Sequence, residues 1–218
     1  MDMAAFINAL PKAEMHVHLE GTIPWSLARM YSDEDLPEIP DWLHDEYRFA
    51  DFADFGTLIF QSIRHVLLTP ERYFEIAGAY FQGLVQQNVR YVEVSISVNG
   101  TLSRGLKGPE VVDAVLSAVP PGLIVRIIAG INRRWDVKLG SDEAEFILET
   151  PGIVGLDLAG DERLNVPEAF KEIFQAAGEK DYLLRAHAGE LTGPDIIRRS
   201  IDVLNLSRIE HGTSAQGD

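Results

Sequence analysis

The segment EMHVHLEG, residues 14–21, sets His16 and His18 one residue apart in an apolar run that ends in Glu20 and Gly21. In an extended strand, residues i and i+2 face the same way, so the two imidazoles project together. That arrangement suits metal ligation, although an isolated H-x-H is equally an ordinary pair of polar residues at a strand end. A second group, RAHAGEL at 185–191, places His187 near the end of an apolar run and Glu190 three residues on, past Gly189. The glycine lets the chain turn Glu190 back over the strand end. A third, RIEHGT at 208–213, adds His211, again followed by glycine. Four of the six histidines thus fall at the ends of three strand-like segments. Three neutral histidines from two strands make a zinc-type site with a position open for water, and a nearby carboxylate is what proton transfer to and from that water requires.

The remaining polar candidates carry less chemistry. His44 and His65 lie in a long connection and read as surface or partly buried residues. Asp157, in GLDLAGDE, sits in an apolar run where an acid is costly unless paired, so it is either structural or a brace for the site. Gly160, just beyond it, lets a ligand approach the backbone closely. Phe49, Phe52 and Phe55 face either a ligand or the packing of a lid.

Six apolar, β-rich runs position these groups: 15–19, 90–97, 123–131, 152–160, 182–189 and 207–212. Each is bounded by Gly, Pro, Asn or polar residues, as buried strands are. Helical spacing fills the intervals at 70–88, 108–119, 142–149, 166–180 and 193–205, several with proline in the first turn. Regular alternation of strand and helix is the pattern of a parallel sheet, and the even spacing of the later units favours a closed α/β barrel of the TIM (β/α)8 type. A complete barrel has eight strands in about 250 residues; about six are present here. The chain reads as one incomplete barrel domain over 1–218, with a helical, lid-like insertion at about 21–89. Polar groups at the C-terminal ends of the strands lie where barrel enzymes carry their sites.

Composition narrows the class of partner. With 19 basic against 34 acidic residues, the formal charge is -15, which repels nucleic acid and anionic membranes and favours a small neutral or cationic ligand. There is no cysteine, hence no disulfide and no thiolate metal site. No apolar run approaches the roughly 20 residues of a bilayer span. The N-terminus lacks the basic and apolar regions of a signal peptide, so a cytoplasmic location is expected.

LPKAEMHVHLEGTI, RYVEVSIS, GIVGLDLAGDE, RAHAGE and RIEHGT occur in the order and approximate spacing of the adenosine deaminase family, zinc-dependent aminohydrolases of the amidohydrolase superfamily, which the chain resembles over nearly its whole length. The resemblance implies hydrolytic removal of the 6-amino group of a purine, adenosine or a close analogue. On it, His16, His18 and His187 look like ligands to one zinc ion. Glu190 looks like the acid that protonates purine N1, and His211 like the residue that orients and deprotonates the attacking water. Gly160 matches the position whose backbone N–H bonds purine N3, with His18 and Glu20 also on the substrate side.

Two features depart from the family pattern. The family's aspartate pair on an eighth strand has no counterpart in the sequence, which predicts a truncated barrel, weakened metal binding and exposed sheet edges that a homodimer is one way to cover. At Glu20, adenosine-specific members usually carry an aspartate that contacts the ribose 5'-hydroxyl. HLEG is closer to relatives acting on adenine or aminodeoxyfutalosine, whereas DLAGDE is closer to the nucleoside enzymes. The sequence reading therefore places a nucleoside first and adenine as the alternative. Among rival classes, a phosphoesterase on a similar barrel needs more basic or metal-binding groups than these strand ends offer. A nucleic-acid-editing deaminase needs cysteines that are absent. A barrel that only binds a purine or a partner chain is the non-enzymatic reading.

Overall fold

The computed structural model describes residues 2–134 and 140–216. Six parallel strands follow one another in spatial order: β1 (Lys12–His18), β2 (Val89–Ser97), β3 (Ile124–Asn132), β4 (Ile153–Ala159), β5 (Leu183–Ala188) and β6 (Arg208–His211). All five pairings are parallel, so the sheet is a nearly closed barrel wall wrapped by helices. These are the six strands expected. β1 starts three residues earlier than the apolar run suggests, because the polar Lys12 and Glu14 belong to a strand that pairs on one side only, with β2.

Helices α4 (Pro70–Gln86), α6 (Gly108–Ser117), α7 (Ser141–Glu149), α8 (Lys171–Glu179) and α9 (Pro194–Leu204) supply the crossovers. Their apolar faces meet the outward residues of the strands. Tyr73, Ile76, Phe81, Val111, Val115, Phe146 and Phe174 pack with Val92, Val94, Ile96, Ile127, Ile131, Leu156 and Leu158 in one buried cluster. Thr69 caps α4 by accepting from the Arg72 N–H, and Pro70 opens its first turn, where a missing N–H costs nothing. The expected helix 166–180 begins instead as a 3-10 turn at Pro167–Phe170 before α8. Between β1 and β2 the insertion holds α2 (Trp25–Tyr31) and α3 (Phe52–Ile63) ahead of α4. Two short helices have no periodic signal in the sequence: α1 (Met3–Ala9), which buries no residue, and α5 (Val98–Leu102), which Ser97 caps. Among the described residues no helix is long and apolar enough to cross a membrane.

The inward side of the strands is polar. Arg185 on β5 is fully buried and reaches Glu93 on β2 at 2.9 Å, Glu210 on β6 at 3.3 Å and Asp157 on β4 at 3.5 Å. It also donates to the Ser95 hydroxyl at 2.6 Å and to the Met15 carbonyl of β1 at 2.8 Å. Arg208 on β6 donates to that same carbonyl at 2.9 Å and to Glu93. Side chains from β5 and β6 therefore reach the backbone of β1 across the barrel. Burial pushes the Glu93 carboxyl up, but Arg208, Tyr91 and Arg185 outweigh it and hold the group below its ordinary value.

Arg185→Leu removes the cation shared by three buried carboxylates, leaving Glu93 and Glu210 to Arg208 and Asp157 to His187, and should lower stability by about 3–5 kcal/mol, read from urea unfolding at neutral pH. A loss below about 1 kcal/mol would mean that water reaches and solvates the acids. Because Glu93 titrates lower in the folded than in the unfolded chain, its contribution is full above about pH 4.5 and fades as pH falls through the folded value. The urea midpoint of the wild type should therefore drop on acidification more steeply than that of Glu93→Gln.

Candidate metal centre and active site

His16 and His18, at the end of β1, point inward together because the strand alternates, and His187 at the end of β5 meets them across the barrel. The His187 Nε2 atom lies 3.0 Å from His16 Nε2 and 3.1 Å from His18 Nε2. A single ring N–H cannot serve both contacts. Three nitrogens drawn this close form a cradle that one cation satisfies. Burial, with His187 and His18 adding to it, lowers His16 to about 3, and burial lowers His18 to about 4. Both rings are thus neutral near pH 7 and offer lone pairs. Donor atoms of His16, His187 and His211 all lie within 4.8 Å of one another, as do those of His18, Asp157 and His187. A set of imidazoles and one carboxylate suits a divalent transition ion.

Carboxylates brace two of these rings from behind. His187 Nδ1 stands 3.1 Å from Asp157 Oδ1, and His16 Nδ1 stands 3.4 Å from Glu210 Oε2. Such partners fix the tautomer and aim Nε2 at the centre. Burial pushes the Asp157 carboxyl up, but His187 and Arg185 prevail and hold it far below its ordinary value. Burial also depresses His187, and Asp157 outweighs that and raises it.

The loops beyond the strands carry the remaining groups. Gly189, just past β5, has φ 73°, and an added Cβ there would sit 2.5 Å from Ile197 and 2.6 Å from the Ser214 hydroxyl. Only glycine makes that turn, which brings Glu190 Oε2 to 3.4 Å from His211 Nε2. His211 itself has φ 65°, a conformation that costs a non-glycine residue energy and that clusters at functional sites. Its ring centroid is 5.0 Å from that of His16 and 5.1 Å from that of His187. Glu20, in the 3-10 turn after β1, accepts the Ser97 N–H at 2.8 Å, and burial pushes its carboxyl up against that bond. Gly160, at φ 92°, follows β4, and a Cβ there would lie 2.4 Å from the Asn132 side-chain oxygen.

His16, His18, His187, Glu190 and His211 are therefore brought together at the C-terminal mouth, with Glu20 and Gly160 on flanking loops. His65 lies elsewhere, accepting from Arg64 at 2.7 Å, and Phe49 packs edge-on against Phe55 at 5.2 Å. The sequence marks Asp157 as either structural or a brace and does not mark Glu93, Arg185 or Glu210. The available signal was their spacing of two from Ser95, His187 and Arg208 in otherwise apolar strands.

A family model described as adenosine deaminase matches residues 11–218. The chain is 30% identical over 229 residues to an adenine deaminase of Zymomonas mobilis, covering 100% of this chain and 67% of that one. It is 32% identical over 234 residues to an aminodeoxyfutalosine deaminase of Streptomyces avermitilis, covering 100% of this chain and 64% of the relative. Among solved structures, the adenine deaminase of Arthrobacter aurescens superposes with a TM-score of 0.81 at 27% identity, covering 96% of this chain and 67% of that chain. The chain thus spans about two thirds of the length of the relatives it matches.

Asp157→Asn keeps the three imidazoles and removes the anionic acceptor behind His187. It should weaken divalent-ion binding about 10- to 100-fold in a folded protein, measured by competition with a chelating dye. Unchanged affinity would confine Asp157 to the Arg185 network.

Proposed function

The chain belongs to the adenosine deaminase family, and from that premise we propose that it hydrolyses the 6-amino group of a purine, with His16, His18 and His187 holding one zinc ion. The observation that carries this reading is the convergence of three imidazole nitrogens beside a facing Glu190–His211 pair. Three nitrogen donors suit zinc, which when bound supplies a water acidic enough to be deprotonated near neutral pH. Attack of a water at C6 would make a tetrahedral carbon, and the attack is easier if N1 gains a proton as the bond forms. Glu190 gives N1 that proton. His211 takes a proton from the incoming water and passes it to the departing amino group. As the C–N bond breaks, the proton left on the C6 hydroxyl returns to Glu190, so the products are the 6-oxo purine and ammonia and both groups are restored. The backbone N–H of Gly160 bonds N3 and, with His18, sets the ring's position.

At the other end of the purine, Glu20 decides between substrates. Its carboxylate, anchored on the Ser97 amide, reaches one methylene further than the aspartate that meets a ribose hydroxyl in adenosine-specific members. A glutamate at this position, as in relatives acting on adenine or aminodeoxyfutalosine, sets free adenine, the activity named for the Zymomonas relative, as a second reading beside adenosine or aminodeoxyfutalosine. The insertion between β1 and β2 serves as a lid in this reading.

Ammonia release with added zinc on adenine, adenosine and aminodeoxyfutalosine is the direct test. One of the three should turn over, and Glu190→Gln should lower its kcat by about 100- to 10,000-fold while the protein keeps its metal. Glu20→Asp should raise the ratio of kcat/KM for adenosine over that for adenine. Release from none of the three by a zinc-loaded, folded protein would reject the deaminase reading.

A further inference from the structure

Glu162, in the loop after β4, is 5% exposed and takes no part in the chemistry assigned above. Its carboxylate accepts four bonds from a single stretch of chain. Oε2 takes the Gly189 N–H at 2.9 Å and the Thr192 hydroxyl at 2.5 Å, and Oε1 takes the Glu190 N–H at 2.8 Å and the Leu191 N–H at 3.3 Å. Successive amides turned toward one point form an anion-binding nest, here filled by a side chain of the same molecule. This is not the capping of a helix. α9 starts at Pro194, and all four donors precede it. Burial pushes the Glu162 carboxyl up, and its bonds to Thr192 and the three amides prevail and hold it below the ordinary range.

Two further grips act on the same turn. Arg133, fully buried at the end of β3, donates to the His187 carbonyl at 3.1 Å and to the Asn165 carbonyl at 3.0 Å, tying the strand end to the loop of Glu162. The Gly189 carbonyl accepts the Thr213 hydroxyl at 2.7 Å and the Ser214 N–H at 2.9 Å, two and three residues past His211. Gly189 is therefore held through its N–H by the β4 loop and through its carbonyl by the β6 loop. Between those holds lie the backbone of Glu190 and, one hydrogen bond away, the loop of His211.

We propose that Glu162 is a positioning residue: by gripping the amides of residues 189–191 and the Thr192 hydroxyl, it fixes where Glu190 presents its carboxyl to the substrate and to His211. The assignment rests on the deaminase reading for its consequence in catalysis, but the clamp itself is a property of the chain without substrate. A charged acceptor matters here because a loop free to shift by even an ångström loses the alignment that proton transfer needs.

The test compares wild type with Glu162→Gln and Glu162→Ala by two readouts. The first is amide hydrogen exchange of Gly189, Glu190 and Leu191, followed by NMR without substrate. It should quicken about 10-fold or more in both variants while exchange in the strands is unchanged. The second is ammonia release on the purine that the wild type deaminates. There kcat should fall about 10- to 100-fold with KM within about threefold, since the loss is of alignment and not of purine binding. Acetate or formate should restore part of kcat to Glu162→Ala by filling the vacated nest, which a merely structural defect would not allow. If both Glu162 variants fail to fold, Thr192→Val removes one donor only, and its exchange and kcat should move in the same direction by less. Exchange at 189–191 unchanged, kcat within about twofold of wild type, or kcat and KM failing together without anion rescue would each overturn the proposal. A wild type that releases no ammonia from any 6-aminopurine rejects the function alone, and the exchange readout still decides the clamp.

Discussion

Arg185 has no exposed surface, and a guanidinium in that position persists only if carboxylates surround it. It finds them on three strands, Glu93, Asp157 and Glu210, and two of these turn their other oxygens to imidazoles: Asp157 to His187, and Glu210 to His16. The geometry of the histidine cradle is thus set one layer below it. A cation in the barrel orders two acids, and the acids order two rings. Desolvation makes each member costly alone, so the group forms as a whole or leaves a charge stranded.

That arrangement explains an inversion in where the apolar residues lie. Barrels commonly fill their interiors with branched apolar side chains. Here the large apolar cluster sits outside the sheet, between strands and helices, while the strands turn Glu93 and Ser95, Asp157, Arg185 and His187, and Glu210 inward. Gly155 precedes Asp157 on the inward face of β4, where an added Cβ would lie 2.6 Å from the Ile128 side chain. The wall carries the hydrophobic stabilisation, and the inside is left to charge pairing that aims ligands.

The six strands and the five crossover helices are legible in the sequence because burial on the outer face imposes strong patterns: near-continuous apolar runs, and helical spacing with proline at the first turn. His16, His18, His187, Glu190 and His211 are legible because polar residues at strand ends, with glycine following, contradict their surroundings. The polar layer beneath was harder to see. Glu93, Arg185 and Glu210 each look like one polar residue in an apolar run, and only the register that sets Arg185 beside Asp157 and Arg208 shows them to be one network. Pairing between strands is a tertiary fact that a single sequence does not carry. α1 and α5 escaped for a different reason: with 7 and 5 residues, they are too short to show a period.

The histidines on the strands and Glu190 on its loop are under different kinds of control. His18 and His187 lie in paired positions of a hydrogen-bonded sheet, and His16 lies between the paired residues Glu14 and Val17 of the same strand. Glu190 lies past the end of β5 and has no ladder to hold it. A loop in that position is mobile unless other bonds restrain it, because its backbone groups would otherwise turn to water. The restraints come from both sides, Glu162 on the amides and Thr213 with Ser214 on the Gly189 carbonyl, so that three successive strand ends lock to one another. Glycine at 189 is what makes this geometry available: its positive φ turns the N–H toward one neighbour loop and the C=O toward the other, and no Cβ obstructs Ile197 or Ser214. In HAGE, Gly189 is therefore the residue that hands each of its backbone groups to a different loop, two positions after His187 and one before Glu190.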